Sequence, residues 1–481
     1  MALDSKLLAR LRALLGDAGL IADPARCLSY ESDGLSLERG LAEVVLLPAH
    51  THEAAAAMRL LSEADVPVVA RGAGTGLSGG ATPVAGGAVM STARMRKVLH
   101  VDGVDRWARV QAGVVNVDLT RACAHERLFY APDPSSQQAC TIGGNVANNS
   151  GGPHCFRYGS TGRHVLGLTV VTSTGEVLEL GGPGGDDDGL DLIGLFVGSE
   201  GMLGLATEVV VRLVPEPEEV ETLLAIFTDL DSCCAAVSDM IAERLEPSAI
   251  EILDKLTIEA VEASVLRAGY PQDAEAVLLI DVDGGHEELD ATVHDILAIC
   301  ERRGALEVRR AKDAYERKKL WAGRKGAFGA MGRIAPDLYV ADVVAPRTKL
   351  REIVRYTTEV ARERGLKLSN VLHAGDGNLH PNISYDRRNA DEVRRVLEAG
   401  DLIMQRCVDL GGALTGEHGV GLEKREQMCM VYRDVDLDEM TRARRALDPT
   451  GRLNPGKLIP VRGCREVKTR PPLTTAPEGQ P

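Results

Sequence analysis

Aromatic side chains are scarce in this sequence: five Phe, two Trp and nine Tyr amount to 3% of 481 residues. So thin a supply removes the stacking platforms on which single-stranded nucleic acid lies. Excess positive charge is missing as well. Lys and Arg number 55 against 70 Asp and Glu, a net charge of −15, which excludes a phosphate-binding surface spread over the whole molecule, so nucleic acid is not an expected partner. Long apolar runs are also absent. Stretches such as Val44 to Pro48 and Val209 to Val211 fall far short of the roughly 20 residues that a bilayer span needs. At the N-terminus Leu7, Leu11, Leu14 and Leu15 form a helical stripe between Asp4 and Asp17, unlike the charged-then-apolar run of a signal peptide. The ten cysteines include no CxxC pair, so free thiols in a reducing cytoplasm are expected, with membrane association only through partners.

What is present is a globular balance, 44% hydrophobic and 26% charged, with glycine in excess at 51. At about 150 residues per domain, the length predicts two or three. From about Leu41 to Val214, β-branched runs such as Val66 to Ala70, Val165 to Thr172 and Glu208 to Leu213 alternate with glycine clusters. After the break at Pro215-Glu-Pro-Glu-Glu219, longer helical segments appear at Asp231 to Leu245, Ala291 to Arg303 and Lys349 to Arg364. Short strands, Ala276 to Val282 and Leu338 to Val344, lie between them. The reading is α+β: a helical segment over 1–40, a strand-rich domain over 41–217, a domain over 218–460 with helices covering a sheet, and a flexible tail over 461–481. The acidic run Asp186 to Asp188 reads as a solvated loop.

The glycines concentrate in three places. Pro67-Val-Val-Ala-Arg-Gly-Ala-Gly-Thr-Gly-Leu-Ser-Gly-Gly80 contains a GxGxxG at Gly74, Gly76 and Gly79. A dinucleotide fingerprint needs a helix to open after those glycines, but Ala81-Thr-Pro-Val-Ala-Gly-Gly87 follows and leads to a further strand at Ala88 to Thr92. A Walker loop fails too, for no GK[ST] follows. A nest of bare backbone N–H groups for phosphate fits better. Cys140-Thr-Ile-Gly-Gly-Asn-Val-Ala-Asn-Asn-Ser-Gly-Gly152 and Gly198-Ser-Glu-Gly-Met-Leu-Gly-Leu-Ala-Thr-Glu208 are the other two. Several such loops imply a large cofactor.

In this order and spacing, the three segments resemble the FAD-binding domain of the vanillyl-alcohol oxidase and p-cresol methylhydroxylase flavoprotein family. The likeness covers nearly all of residues 40 to 460. Gly-Gly-Pro-His-Cys-Phe-Arg-Tyr-Gly at 151–159 and Gly332-Arg-Ile-Ala-Pro-Asp337 tilt it toward the branch of glycolate oxidase flavin subunits and D-lactate and D-2-hydroxyglutarate dehydrogenases. The resemblance implies a two-subdomain PCMH-type FAD-binding domain and a cap domain built on an antiparallel sheet. It implies that Arg71, Gly72, Ala73, Gly74, Thr75, Gly76 and Ser78 hold the pyrophosphate. Pro132, Asp133, Thr141, Gly144, Asn145 and Asn148 would line the flavin, with Gly201 and Glu208 of the third segment also at the cofactor. Where some relatives carry a tethering histidine, Thr75 stands here, so FAD is expected to be noncovalent; Cys140 reads as a buried inert thiol.

A second constellation lies downstream. His373-Ala-Gly-Asp-Gly-Asn-Leu-His380 would put its histidines on opposite faces of one strand, but the Gly375-Asp-Gly377 turn can fold both toward one pocket, and Asn382 shares a face with His380. Gly411-Gly-Ala-Leu-Thr-Gly-Glu-His-Gly419 adds Glu417 and His418. His373, His380 and Glu417 form a set suited to a divalent metal, zinc or manganese, with an open position. His418, pointing away from its neighbour, is assigned as general base. Arg324 shares a helical stripe with Leu320, Ala327, Phe328 and Met331, and an arginine on such a face demands an anion, the substrate carboxylate. Arg309, Arg310, Lys312, Arg317, Lys318, Lys319, Lys325 and Arg333 form a basic island, read either as a solvated helix face or as a docking site for an acidic subunit or membrane surface. Phe328 and Val340 occupy places where dicarboxylate-selective relatives carry polar residues, which favours a small monocarboxylate.

The resulting expectation is an enzyme that oxidises glycolate or a small D-2-hydroxy acid to the 2-oxo acid, with Arg324, Asn382 and His418 at the substrate. Its electrons would pass to an external acceptor: a quinone, an iron–sulfur subunit or oxygen. The alternatives are a stand-alone D-lactate or D-2-hydroxyglutarate dehydrogenase and, in another class, a noncatalytic flavoprotein subunit. A homodimer and a hetero-complex are both open.

Overall fold

The structure is a computed structural model that describes residues 3–35, 37–185 and 189–460. The acidic run at 186–188 and the expected tail at 461–481 lie outside these residues. The first half is built on two sheets. A four-stranded sheet runs in the order Leu20–Ile21, Val44–Leu46, Ala88–Ser91, Val68–Arg71, with its last three strands parallel. Its apolar face packs with Leu7 and Leu11 of the helix Ser5–Leu15 and with Met58 and Leu61 of Thr51–Glu63. Residues 1–40, expected as a helical segment of their own, therefore also supply an edge strand, Leu20 pairing with Leu46. The second sheet is antiparallel, in the order Val98–Asp102, Trp107–Gln111, Leu205–Arg212, Val165–Val171, Val177–Gly181. Arg71 ends a strand of the first sheet, and no helix forms between there and Ala88, so the first glycine segment is a bare loop.

The second half is organised by an antiparallel sheet of eight strands, with Glu219–Phe227, Ala276–Gly284, Ala249–Asp254, Lys367–His373 and Asn378–Tyr385 adjacent in that order. Alternation along each strand sorts side chains onto two faces. Leu223, Ala225, Ile250, Ile252, Leu372, Leu379 and Ile383 go to one face, under the helices Leu230–Ala242, His286–Arg302, Leu350–Glu363 and Ala390–Asp409. Leu224, Leu253, Val277, Leu279 and Val371 go to the other, against Lys255–Glu262 and Ala314–Ala330. Glu251, His373, His380 and Asn382 occupy the alternate positions of that second face, where the first half of the chain also packs.

Two expectations about elements change. The strand read over Leu338 to Val344 is broken: Asp337–Val340 and Val343–Val344 pair separately with Asn378–Tyr385, and Ala341 and Asp342 lie between them. The chain also returns to the first half before 460. Leu453 bridges Val68 in parallel. Asn454 Nδ2 donates to the carbonyls of Gly80 and Glu200 at 2.9 and 2.6 Å, and Lys457 Nζ donates to those of Gly80 and Thr82.

Candidate active site

One groove of about 550 Å³ runs between the halves. At one end its walls are the three glycine-rich segments. Arg71, Gly72, Ala73, Gly74, Thr75, Gly76 and Ser78 line it, as do Thr141, Gly144, Asn145, Asn148 and Gly201. The loop needs glycine for a physical reason: Gly74 has φ +74°, and a Cβ there would strike the guanidinium of Arg71. That guanidinium is also tied to the rest of the protein. It donates to Ser32 O at 2.8 Å and lies over the Tyr30 ring, so it braces the loop from beneath. Ser78 Oγ, Thr92 Oγ1 and Asn145 Nδ2 are buried in the lining without a protein partner, a set of unmet polar atoms that a polar cofactor would satisfy.

Three expected cofactor residues sit elsewhere. The Pro132 carbonyl accepts from Asn116 Nδ2 at 2.9 Å. Asp133 is drawn off by charge: its Oδ2 lies 2.9 Å from Lys325 Nζ and 2.9 Å from His154 Nδ1. Burial alone would raise this carboxyl, but those two cations hold it well below the usual carboxylate range. Glu208 pairs with Arg109 at 3.4 Å. Pro134, Ser135 and Ser136 line the groove instead.

The other end of the groove is made of side chains. Register places His373 opposite both Glu251 and Asn378, and the turn at 374–377 folds the strand back so that His380 faces the same side. The His373 and His380 rings stand 5.1 Å apart at right angles. Glu417 Oε1 lies 3.3 Å from Nε2 of each, and its Oε2 is buried without a partner. His373 does not line the groove directly but closes the triad from behind. Burial would lower its pKa, yet Glu251 and Glu417 raise it well above the ordinary imidazole value, while hydrogen bonds from His373 and His380 take Glu417 well below its own against burial. Two imidazole nitrogens and a carboxylate oxygen within 4.8 Å of one another form a donor set into which a divalent cation fits. Glu251 Oε1, 2.7 Å from His373 Nδ1, supplies the carboxylate that typically orients a ligating imidazole.

His418 stacks on His380 with ring centres 5.0 Å apart, and its Nδ1 is buried without a partner. Burial lowers its pKa to about 4, so it is a neutral acceptor at pH 7. Asn382 lines the groove beside them and donates to His380 O.

Arg324 is buried, as its stripe predicts, but an anion of the protein already holds it. Glu251 Oε2 accepts from Nε at 2.6 Å and pairs with Nη2 at 2.5 Å. Arg324 lines the groove, and among the described residues no side chain bonds its Nη1. Phe328, expected on the apolar face, is instead 45% exposed and lines the groove with Leu266, Val340 and Val371.

Four charged residues that shape this end were not singled out in the sequence: Glu251, Asp342, Lys424, and Lys325 as partner of Asp133. Asp342, in the strand break, accepts from Thr415 Oγ1 and from the amides of Gly416, Glu417 and His418. Lys424 Nζ donates to its carboxylate at 3.4 Å and to its carbonyl at 2.7 Å. Burial would raise Asp342, but Lys424 and the nearby imidazoles hold it well below the carboxylate range. A buried ion pair adds little net stability; here it fixes the loop that presents Glu417 and His418.

A nest-like phosphate loop, a deep groove and a histidine–carboxylate centre at its far end define a flavin-dependent oxidoreductase. Comparison with known proteins agrees. Residues 42–181 match the "FAD binding domain" model, and 216–458 match "FAD linked oxidases, C-terminal domain"; the chain belongs to the FAD-linked oxidase family. It is 44% identical to the glycolate oxidase subunit GlcD of Escherichia coli K12, over 90% of this chain and 87% of that one. It is 39% identical to the subunit of that name from Bacillus subtilis, over 90% and 92%. Identity to the D-lactate dehydrogenase of Anaerostipes hadrus is 33%, over 86% and 89%. The fold is that of p-cresol methylhydroxylase, with a TM-score of 0.81 at 17% identity, over 94% of this chain and 96% of that one.

Proposed function

We propose that the protein oxidises glycolate or another small D-2-hydroxy acid to the 2-oxo acid with noncovalent FAD, and that His373, His380 and Glu417 hold a zinc or manganese ion. The observation that carries this is the meeting of that triad, His418 and the free Nη1 of Arg324 at one end of a flavin groove. The identity to glycolate oxidase subunits and D-lactate dehydrogenases supports the substrate class.

Arg324 Nη1 binds the substrate carboxylate, while Glu251 holds the rest of the guanidinium rigid. His418, neutral at pH 7, accepts the hydroxyl proton. As the C2–O bond becomes a carbonyl, the α-hydrogen leaves C2 with its electron pair. When bound, FAD supplies the two-electron acceptor for that pair, and a metal in the triad supplies a Lewis acid for the hydroxyl. Leu266, Phe328, Val340 and Val371 present an apolar wall, and the nearby cation Lys325 is already paired with Asp133, which favours short monocarboxylates. The nine described cysteines are all free, and none belongs to a metal-holding group among the described residues, so onward transfer uses an external acceptor: a quinone, an iron–sulfur subunit or oxygen. The name "subunit" carried by the glycolate oxidase relatives supports a hetero-complex. Among the described residues no helix is long and apolar enough to cross a membrane, so any membrane association would be peripheral, through such a partner.

The test is anaerobic mixing of the metal-loaded flavoprotein with glycolate, D-lactate, L-lactate and D-2-hydroxyglutarate. Bleaching of the flavin near 450 nm by glycolate or D-lactate alone is expected. A loaded flavin that none of the acids bleaches would overturn the assignment.

A further inference from the structure

The loop 415–424 carries Glu417 and His418 and is held from both halves of the chain. On its own side, Asp342 gathers residues 415–418 and pairs with Lys424 at the far end; between those points the loop is bonded to the flavin half. Each of the three glycine-rich segments contributes. Ser78 O accepts from the amides of Leu422 and Glu423 at 2.8 and 3.1 Å. Asn148 Nδ2 donates to His418 O at 2.8 Å. Glu200 Oε1 accepts from Val420 N at 2.7 Å, and Oε2 from Gly421 N at 2.8 Å. Ser78, Asn148 and Glu200 all line the groove as well.

Glu200 is built for this contact at some cost. Its backbone is left-handed, φ +51°, a conformation uncommon outside glycine. The side chain is buried, and among the described residues no side chain donates to its carboxylate. Two loop amides satisfy its oxygens, and Asn454 bonds its carbonyl from the other side. On the loop side, Gly419 and Gly421 have φ +87° and +50°, and a Cβ on Gly421 would collide with Ser78 O. Both sides of the contact are shaped so that the loop and the groove wall lie backbone to backbone.

We propose that Glu200 is a positioning residue through which the flavin groove sets the metal ligand Glu417, so that flavin and metal each tighten the binding of the other. The inference rests on the FAD and metal reading given above. The wall segments that FAD orders are those to which the loop is bonded, and the loop that the metal orders holds those walls in turn. Such coupling is reciprocal by linkage.

The experiment starts from the holoenzyme. Metal content is measured by elemental analysis, the protein is either loaded with Mn²⁺ or stripped with a chelator, and flavin release is followed by the recovery of FAD fluorescence on serial dilution. Stripping is expected to weaken flavin retention about tenfold in wild type, within the usual range of coupling between sites. Glu200→Gln, which can offer only one acceptor oxygen to the two amides, should lose most of that dependence. Gly421→Ala opens the same contact from the loop side and should do likewise, which covers a Glu200 variant that fails to fold. Flavin retention in wild type that is unchanged while metal content falls would overturn the coupling and leave the metal reading intact. Full coupling in Glu200→Gln would overturn the role of Glu200. A protein that neither contains nor takes up Zn²⁺ or Mn²⁺ would overturn the metal reading, and the coupling with it.

Discussion

The two ends of the groove are made of different materials. At the flavin end, the wall is largely backbone: loops of glycine, small residues, and a few hydroxyl and amide groups whose partners are not within the protein. At the triad end, buried charges interlock through side chains. Glu251 serves Arg324 and His373 at once, Asp342 serves five donors, and Glu417 lies between two imidazoles. Backbone recognition is set by where the chain runs, so it fails when a side chain is added. Side-chain recognition is set by single atoms, so it fails when one is removed.

That contrast can be broken in four places. His418→Ala should have the largest effect, lowering kcat by about 10²–10⁴, the usual worth of a positioned base, with the flavin spectrum unchanged. Comparable turnover would mean that the triad end does not depend on this side chain. Glu251→Gln leaves Arg324 buried without its counter-charge, and breaking such a pair costs about 3 kcal/mol. A lower Tm and a raised KM for the acid are expected, read by calorimetry and steady-state kinetics. Gly74→Ala forces an L-residue into a left-handed position at about 1–2 kcal/mol and crowds Arg71. Substoichiometric flavin in a folded protein, read from the ratio of absorbances at 450 and 280 nm, is the expected outcome.

The smallest effect concerns the seam between the halves. Burial works against the charged form of His154, but Asp133 outweighs it and raises the pKa above the ordinary imidazole value. A raised folded-state pKa gives stability that is complete below the unfolded value and fades as pH rises through the folded one. Tm should therefore decline from pH 6 to pH 9 in wild type, and less so in His154→Gln.

Much of the fold could be read along the chain, because it rests on local pattern. The strands around each glycine segment and the helices after Pro217 followed from alternation and breaks, whereas the antiparallel character of the cap sheet came from the family resemblance. The histidine hairpin was legible as well, since Gly375 and Gly377 announce a turn between His373 and His380. Arg324 was found on its stripe, but its partner was not, for Glu251 lies 73 residues away and only strand register brings them together. A signal did exist: Glu251 interrupts the apolar run Ala249–Leu253, and a charge at an alternating position of a buried strand calls for a partner. Asp342 hid within what read as a continuous strand, and its task is visible only once that strand breaks. Asp133 and Glu208 were placed by likeness to a motif, whereas Lys325 and Arg109 decide where their carboxylates go.

The return of the chain to its first sheet has a consequence during synthesis. Lys457 bonds Gly80 across 377 residues, and Leu453 adds a parallel bridge to the first sheet. The phosphate loop is thus left without part of its support until residues 453–457 have been synthesised. Contacts so distant in sequence form late and slowly, so the final bracing of the first half waits for a segment translated 377 residues after Gly80.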